Sequence, residues 1–165
     1  MKQINKYIWG HLKNPNFSIV ERLHINKDID SHNYHPKTRD ELIELINELI
    51  EERGNDANLN DIDTSKITDM NSLFDRSEFN GDISNWNVSN VYDMSYMFMQ
   101  SKFNGDISNW DVSNVETMDS MFYRSEFTGE NGDISKWNVS NAKNNMYYMF
   151  SKSPLEKNPP KWYKN

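Results

Sequence analysis

ISNWNVSNVYDMSYMFMQSKF, residues 83–103, returns at residues 107–127 as ISNWDVSNVETMDSMFYRSEF, and the two lines match at every apolar core position. Trp86 and Trp110 stand 24 residues apart, as do Phe74, Phe98 and Phe122. A fixed period in this range predicts a solenoid, whose coils bury a shared core and leave a long face free for a partner. Two looser copies flank the pair. Leu59-x-x-Ile62-x-Thr64-x-x-Ile67 precedes it and Ile134-x-x-Trp137-x-Val139-x-x-Ala142 follows. Trp86 and Val88 alternate at strand period, whereas Val91, Met94, Met97 and Phe98 recur at helical spacing. Each coil is therefore expected to hold a short strand, a turn at Ser89-Asn90, about two helical turns and a return loop.

Smaller signals agree with that expectation. Ser89-Asn90, Ser113-Asn114 and Ser140-Asn141 suit helix N-caps, because their side chains accept orphan backbone N–H bonds. Asn80-Gly81, Asn104-Gly105 and Asn131-Gly132 read as turns ahead of the next strand. The third return loop gains three residues at Thr128–Asn131, and the last expected helix gains one between Ala142 and Met146. Pro159-Pro160 then falls where the next strand would lie. Proline blunts a strand edge, so Pro-Pro-Lys-Trp-Tyr reads as a C-terminal plug.

Upstream of the repeats, the clearest helix runs from Thr38 to about Arg53. Thr38 and Glu41 form a capping box, and Gly54 supplies a left-handed stop. Leu42, Leu45, Ile46, Leu49 and Ile50 make one apolar face, opposite Glu44, Glu48, Glu51 and Glu52. The first coil of an array exposes an apolar edge that needs such a cap. Ile4, Tyr7, Ile8 and Leu12 suggest a short amphipathic helix, broken at Asn14-Pro15-Asn16. The expected plan is a partly helical extension over 1–37, a capping helix over 38–54 and the repeats with their plug over 55–165.

Charge narrows the function. The chain carries a net −7, and its acidity concentrates in residues 37–64, with nine acidic against three basic groups. That argues against nucleic acid as the partner, which calls for a basic stripe. There is no cysteine, so disulfide and thiolate chemistry drop out. The opening MKQINKYIWGHLKN lacks the apolar stretch of a secretory signal, and no run approaches a membrane span. A cytoplasmic protein is expected, with the cell surface as the alternative if a leader has been removed.

The phrases W-[ND]-V-S-N-V-x-x-M-x-x-M-F and F-N-G-D-I-S resemble the BspA-like family of bacterial repeat proteins, a leucine-rich-repeat-like group, over roughly residues 38–165. The copies also approximate the L-x-x-L-x-L-x-x-N phrase of leucine-rich repeats. The resemblance implies an α/β repeat: a short leucine-rich-repeat-like solenoid of about four strand–helix coils behind an N-terminal helical cap. It also implies binding rather than catalysis, since family members are typically surface lipoproteins or adhesins that bind host or matrix proteins. Small relatives without an export signal would fit cytoplasmic or mobile-element proteins that bind another protein, including inhibitors of a bacterial defence system.

Candidate sites divide into repeated and variable residues. The repeated Trp, Met and Phe read as a core ladder, and no cofactor is expected. Asp82, Asp106 and Asp133 recur in every N-G-D turn. Stacked coils would bring them to roughly 5 Å, the separation of a retaining glycosidase pair or a calcium site. Turn chemistry explains an Asp at every copy more simply. His32 and His35 lack the further ligands zinc needs, so they read as solvated loop histidines, and no metal or catalytic residue is assigned. Variable positions remain. On the expected helix face these are Tyr92, Tyr96, Met99, Tyr123, Arg124, Tyr147 and Tyr148. On the expected strand face they are Asp61, Asp63, Asn85, Asn87, Asn109, Asp111, Lys136 and Asn138. Exposed tyrosine and arginine are enriched at interfaces, so the expectation is a non-enzymatic module binding another protein. The alternatives are a surface adhesin and, behind it, a carbohydrate-active enzyme using Asp82 and Asp106. Oligomeric state is left open.

Overall fold

The computed structural model describes residues 32–164. The helix expected near residues 4–12, His11 and His24 lie outside them. The helix upstream of the repeats is α1, Arg39–Arg53. Thr38 Oγ1 accepts the Glu41 N–H at 3.2 Å, Glu41 Oε2 accepts the Lys37 N–H at 2.7 Å, and Gly54 closes the far end at φ 89°. Leu42, Leu45, Ile46 and Leu49 are buried in one core with Leu59, Ile62, Ile67 and Met70. Arg39 Nε donates to the Asn71 carbonyl at 2.7 Å, and Arg53 at the other end donates to Asp61. The helix thus lies across the first coil. Beside it, Tyr34 forms a parallel bridge with Ile62, and an extended piece at Asn33–Tyr34 joins the coil edge through the Asp61 carbonyl.

The strand–helix coils expected from the sequence are not what forms. Among the described residues α1 is the one α-helix, and there is no sheet. Two three-residue 3-10 turns (Ile134–Lys136 and Pro154–Glu156) and isolated parallel bridges complete the regular structure. The 24-residue copies do stack, but as coils of successive tight turns starting at Leu59, Ile83, Ile107 and Ile134. In the second coil the N–H groups of Trp86, Val91, Met97, Met99 and Ser101 each bond the carbonyl three residues back. The intervening N–H groups of Met94, Tyr96, Phe98 and Gln100 instead point along the stack, to carbonyls of Thr117, Asp119, Met121 and Tyr123 in the next coil. An α-helix needs every N–H directed to the carbonyl four residues back, so this alternation excludes it. Left-handed residues reset the chain every four positions, at Ser72 and Arg76, Tyr96 and Gln100, Ser120 and Arg124, Tyr148 and Lys152, with φ 54–59°.

Three rows of aromatic residues run through a core completed by Leu, Ile, Val and Met. Phe74, Phe98, Phe122 and Phe150 stack with ring centroids 5.5, 5.5 and 5.7 Å apart and planes within 8°. Phe79, Phe103 and Phe127 form a second column at 6.3 and 6.4 Å. Trp86, Trp110, Trp137 and Trp162 form the third, and each indole N–H donates to a carbonyl of the preceding coil, at Leu59, Ile83, Ile107 and Ile134. Tryptophan suits this place because its ring fills the core while its N–H satisfies a buried acceptor. The Asn-Gly pairs also serve the stack. Gly81, Gly105 and Gly132 do not take up positive φ; a Cβ on Gly81 would lie 2.0 Å from the Ala57 carbonyl oxygen. They are glycines because adjacent coils approach there too closely for a side chain. The Ser-Asn pairs cap no helix: Asn90, Asn114 and Asn141 donate to carbonyls of Ser65, Ser89 and Ser113 one coil back.

Candidate functional site

Once the recurring letters are placed in columns and turns, two surfaces carry the variable residues. On the first, Tyr92, Tyr96, Tyr147 and Tyr148 are 47, 40, 66 and 69% exposed. Arg124 is also exposed, whereas Met99 and Tyr123 are half-buried. This is a face of turns, not of helices. Tyr96 and Tyr148 occupy equivalent left-handed positions in the second and fourth coils, with Ser120 between them. Tyr123 lies under two cations, Arg124 at 5.3 Å and Lys152 at 5.8 Å from its ring centre. Lys152 was not singled out from the sequence. The extra residues in the third and fourth coils put it 28 positions after Arg124 and hid the equivalence.

On the second surface, four residues fix turns, and three of these, Asn87, Asp111 and Asn138, are also exposed. Asp63, Asn87, Asp111 and Asn138 each accept the backbone N–H two residues on, from Ser65, Ser89, Ser113 and Ser140, at 2.9–3.2 Å. These are Asx turns, repeated coil after coil. Asn85, Asn109 and Lys136 are exposed. Asp61 belongs to neither set. Arg53 grips it with both terminal nitrogens at 3.1 and 3.2 Å, Asn33 Nδ2 donates at 2.7 Å, and Arg53 also donates to the Tyr34 hydroxyl. His35 pairs through Nδ1 with Asp63 at 3.1 Å, so it is half-buried against a carboxylate and not a solvated loop histidine. Asp61 and Asp63 therefore bind the Asn33–His35 segment and α1 to the first coil.

Burial alone would raise the Asp61 carboxyl, but hydrogen bonds from Arg53 and Asn33 outweigh it and hold the group below its ordinary 3.8. A carboxyl depressed in the folded chain adds stability above its unfolded value and loses it as pH falls through the folded one. The stability gap between the natural protein and Asp61→Asn should thus be about 1–2 kcal/mol near neutrality. Thermal unfolding repeated in acid should show that gap closing below pH 3.8.

The N-G-D carboxylates each accept a backbone N–H two residues on, as in an Asx turn. Asp82, Asp106 and Asp133 accept the N–H of Ser84, Ser108 and Ser135 at 2.8–2.9 Å. At Asp82 burial pulls the carboxyl up, yet the bonds from Ser84 bring it below its ordinary value; at Asp133 bonds from Ser135 do the same. Among the described residues, no three His, Asp or Glu side chains converge as metal ligands, and no helix is long and apolar enough to cross a membrane.

The family described as "Mycoplasma protein of unknown function, DUF285" has a model that matches residues 44–162, from within α1 to the last tryptophan. No curated protein and no solved structure matches the chain.

Proposed function

We propose that this chain, which belongs to the DUF285 family of Mycoplasma proteins of unknown function, is a non-enzymatic protein-binding module acting through its tyrosine-rich face. One observation carries this reading. Tyr92, Tyr96, Tyr147 and Tyr148 are the large hydrophobic side chains that stand exposed among the described residues, and all four project from repeat positions that vary between coils. Burying such rings against a partner removes apolar area while the phenol O–H can still reach water or an acceptor at the rim. A stack tied by repeated hydrogen bonds loses little conformational entropy on docking, so a modest patch can bind usefully. The mode of action that fits is occlusion or scaffolding of another protein. The finer kinship to BspA-like surface repeats rests on the W-[ND]-V-S-N-V phrase.

Photocrosslinking tests the reading. A benzophenone amino acid at Tyr92 or Tyr96, introduced in native cells, should yield a discrete protein adduct, whereas one at Asn47 on the outer side of α1 should not. Replacing both tyrosines by alanine should weaken that complex more than about tenfold. Adducts only with chaperones, or none from either tyrosine, would refute it.

A further inference from the structure

The bonds that join one coil to the next stop at the fourth coil with their donors unmatched. N–H groups at 70, 72, 74 and 76 bond the second coil, those at 94, 96, 98 and 100 the third, and those at 118, 120, 122 and 124 the fourth. The equivalent N–H groups of Met146, Tyr148, Phe150 and Lys152 meet no acceptor among the described residues. Trp162 and Tyr163 close part of this edge by folding over Phe150, at 6.0 and 5.0 Å between ring centres. Beside Met146 and Tyr148 the edge stays open as a groove of about 460 Å³, with Lys143, Tyr147, Tyr163 and Lys164 along its sides. The residue inserted between Ala142 and Met146 lies at this groove.

An edge of unpaired donors at two-residue spacing is a template for an extended chain. The protein uses the same device at its opposite end, where Asn33–Tyr34 pairs with the first coil. That end is partly covered, because α1 packs across the first coil and Arg39 occupies the Asn71 carbonyl. A second copy would have to displace that contact to dock its first coil here, so a different chain fits the edge better. Charge specifies its character. Residues 142–165 hold Lys143, Lys152, Lys157, Lys161 and Lys164 against Glu156 alone, in a protein of net charge −7.

We propose that the open edge of the fourth coil takes up an extended, acidic polypeptide segment as one further rung. Its alternate carbonyls accept the N–H groups of Met146 and Tyr148, its carboxylates face Lys143 and Lys164, and Tyr147 flanks it. This rests on the protein-binding reading and names the chemistry of the partner.

A fluorescein-labelled peptide of alternating glutamate and valine, about ten residues long, is the probe, with its lysine–valine counterpart as control. The acidic peptide should bind about tenfold more tightly or better, and a Lys143→Glu, Lys164→Glu double variant should reverse the preference. On binding, amide hydrogen exchange of Met146 and Tyr148 should slow about tenfold or more, while that of Met94 and Tyr96, already bonded within the stack, should not change. Equal affinity for the two peptides, no binding of the acidic one, or binding that leaves Met146 and Tyr148 unprotected would overturn the proposal. So would protection of these two amides that appears only as the protein dimerises. Crosslinking from Tyr92 or Tyr96 reports on a different coil. A failed peptide experiment beside a positive crosslink removes the edge proposal alone, and loss of the crosslink removes the parent reading.

Discussion

Gly81→Ala is expected to destabilise the protein by about 3 kcal/mol or more, a drop in melting temperature of roughly 10 °C. The new Cβ would sit 2.0 Å from the Ala57 carbonyl oxygen and 2.7 Å from the Phe79 ring. Overpacking of this kind usually costs about 1–3 kcal/mol where side chains can yield. Here the obstacle is backbone, and yielding means pulling the first coil from the second. The damage should be local, since each coil of an array meets only its neighbours. Amide protection should fall at Leu59 and Asp82, whose N–H groups bond the Asp82 and Ala57 carbonyls across that junction, and persist at Phe122. Gly54→Ala is the control. It has open space around its Cβ but a φ of 89° with ψ 172°, a conformation that strains any side chain, so it should cost about 1–3 kcal/mol through backbone strain alone. If Gly81→Ala proved no less stable than Gly54→Ala, close approach of the coils would not be what fixes this glycine.

Phe98→Ala should cost about 3–5 kcal/mol. Its ring is fully buried, stacked between Phe74 and Phe122, 4.4 Å from Phe103 and 6.3 Å from Trp110. Removing it leaves a cavity that the neighbouring rings cannot fill without abandoning their own columns. Trp110→Phe is the milder comparison: it keeps a ring but strands the Ile83 carbonyl, at about 1–3 kcal/mol. Because the loss falls mid-array, calorimetry of Phe98→Ala should resolve separate transitions for the parts on either side. A single transition shifted by less than 1 kcal/mol would contradict the columnar core.

The period was legible in the sequence, and so was α1, because both rest on apolar spacing and capping side chains that act locally. The conformation inside each coil was not. Met94, Met97 and Phe98 at spacings of three and four point inward from a helix, but they also point inward from consecutive three-residue turns. What decides between them is where alternate N–H groups go, and those bond residues 23 or more positions away. The left-handed turns gave no warning either, since Arg76, Tyr96, Gln100 and Lys152 occupy positions where glycine would have announced them. The tyrosine surface was legible because it is written in the letters that change. The ties made by Asp61 and Asp63 were not legible because these residues align with exposed residues of later coils, while only the first coil has α1 and the Asn33–His35 segment to bind.

Phe98 meets Phe74 and Phe122 at the same 5.5 Å and with nearly parallel planes, so the junction below a coil is interchangeable with the one above it. An in-frame duplication of the codons for residues 83–106 would therefore insert a ready-made unit that needs no compensating change anywhere else. Each such event would lengthen the molecule by roughly one rung, about 5 Å, while carrying both ends through intact. Copy number would then set the distance between the two ends of the stack without altering either.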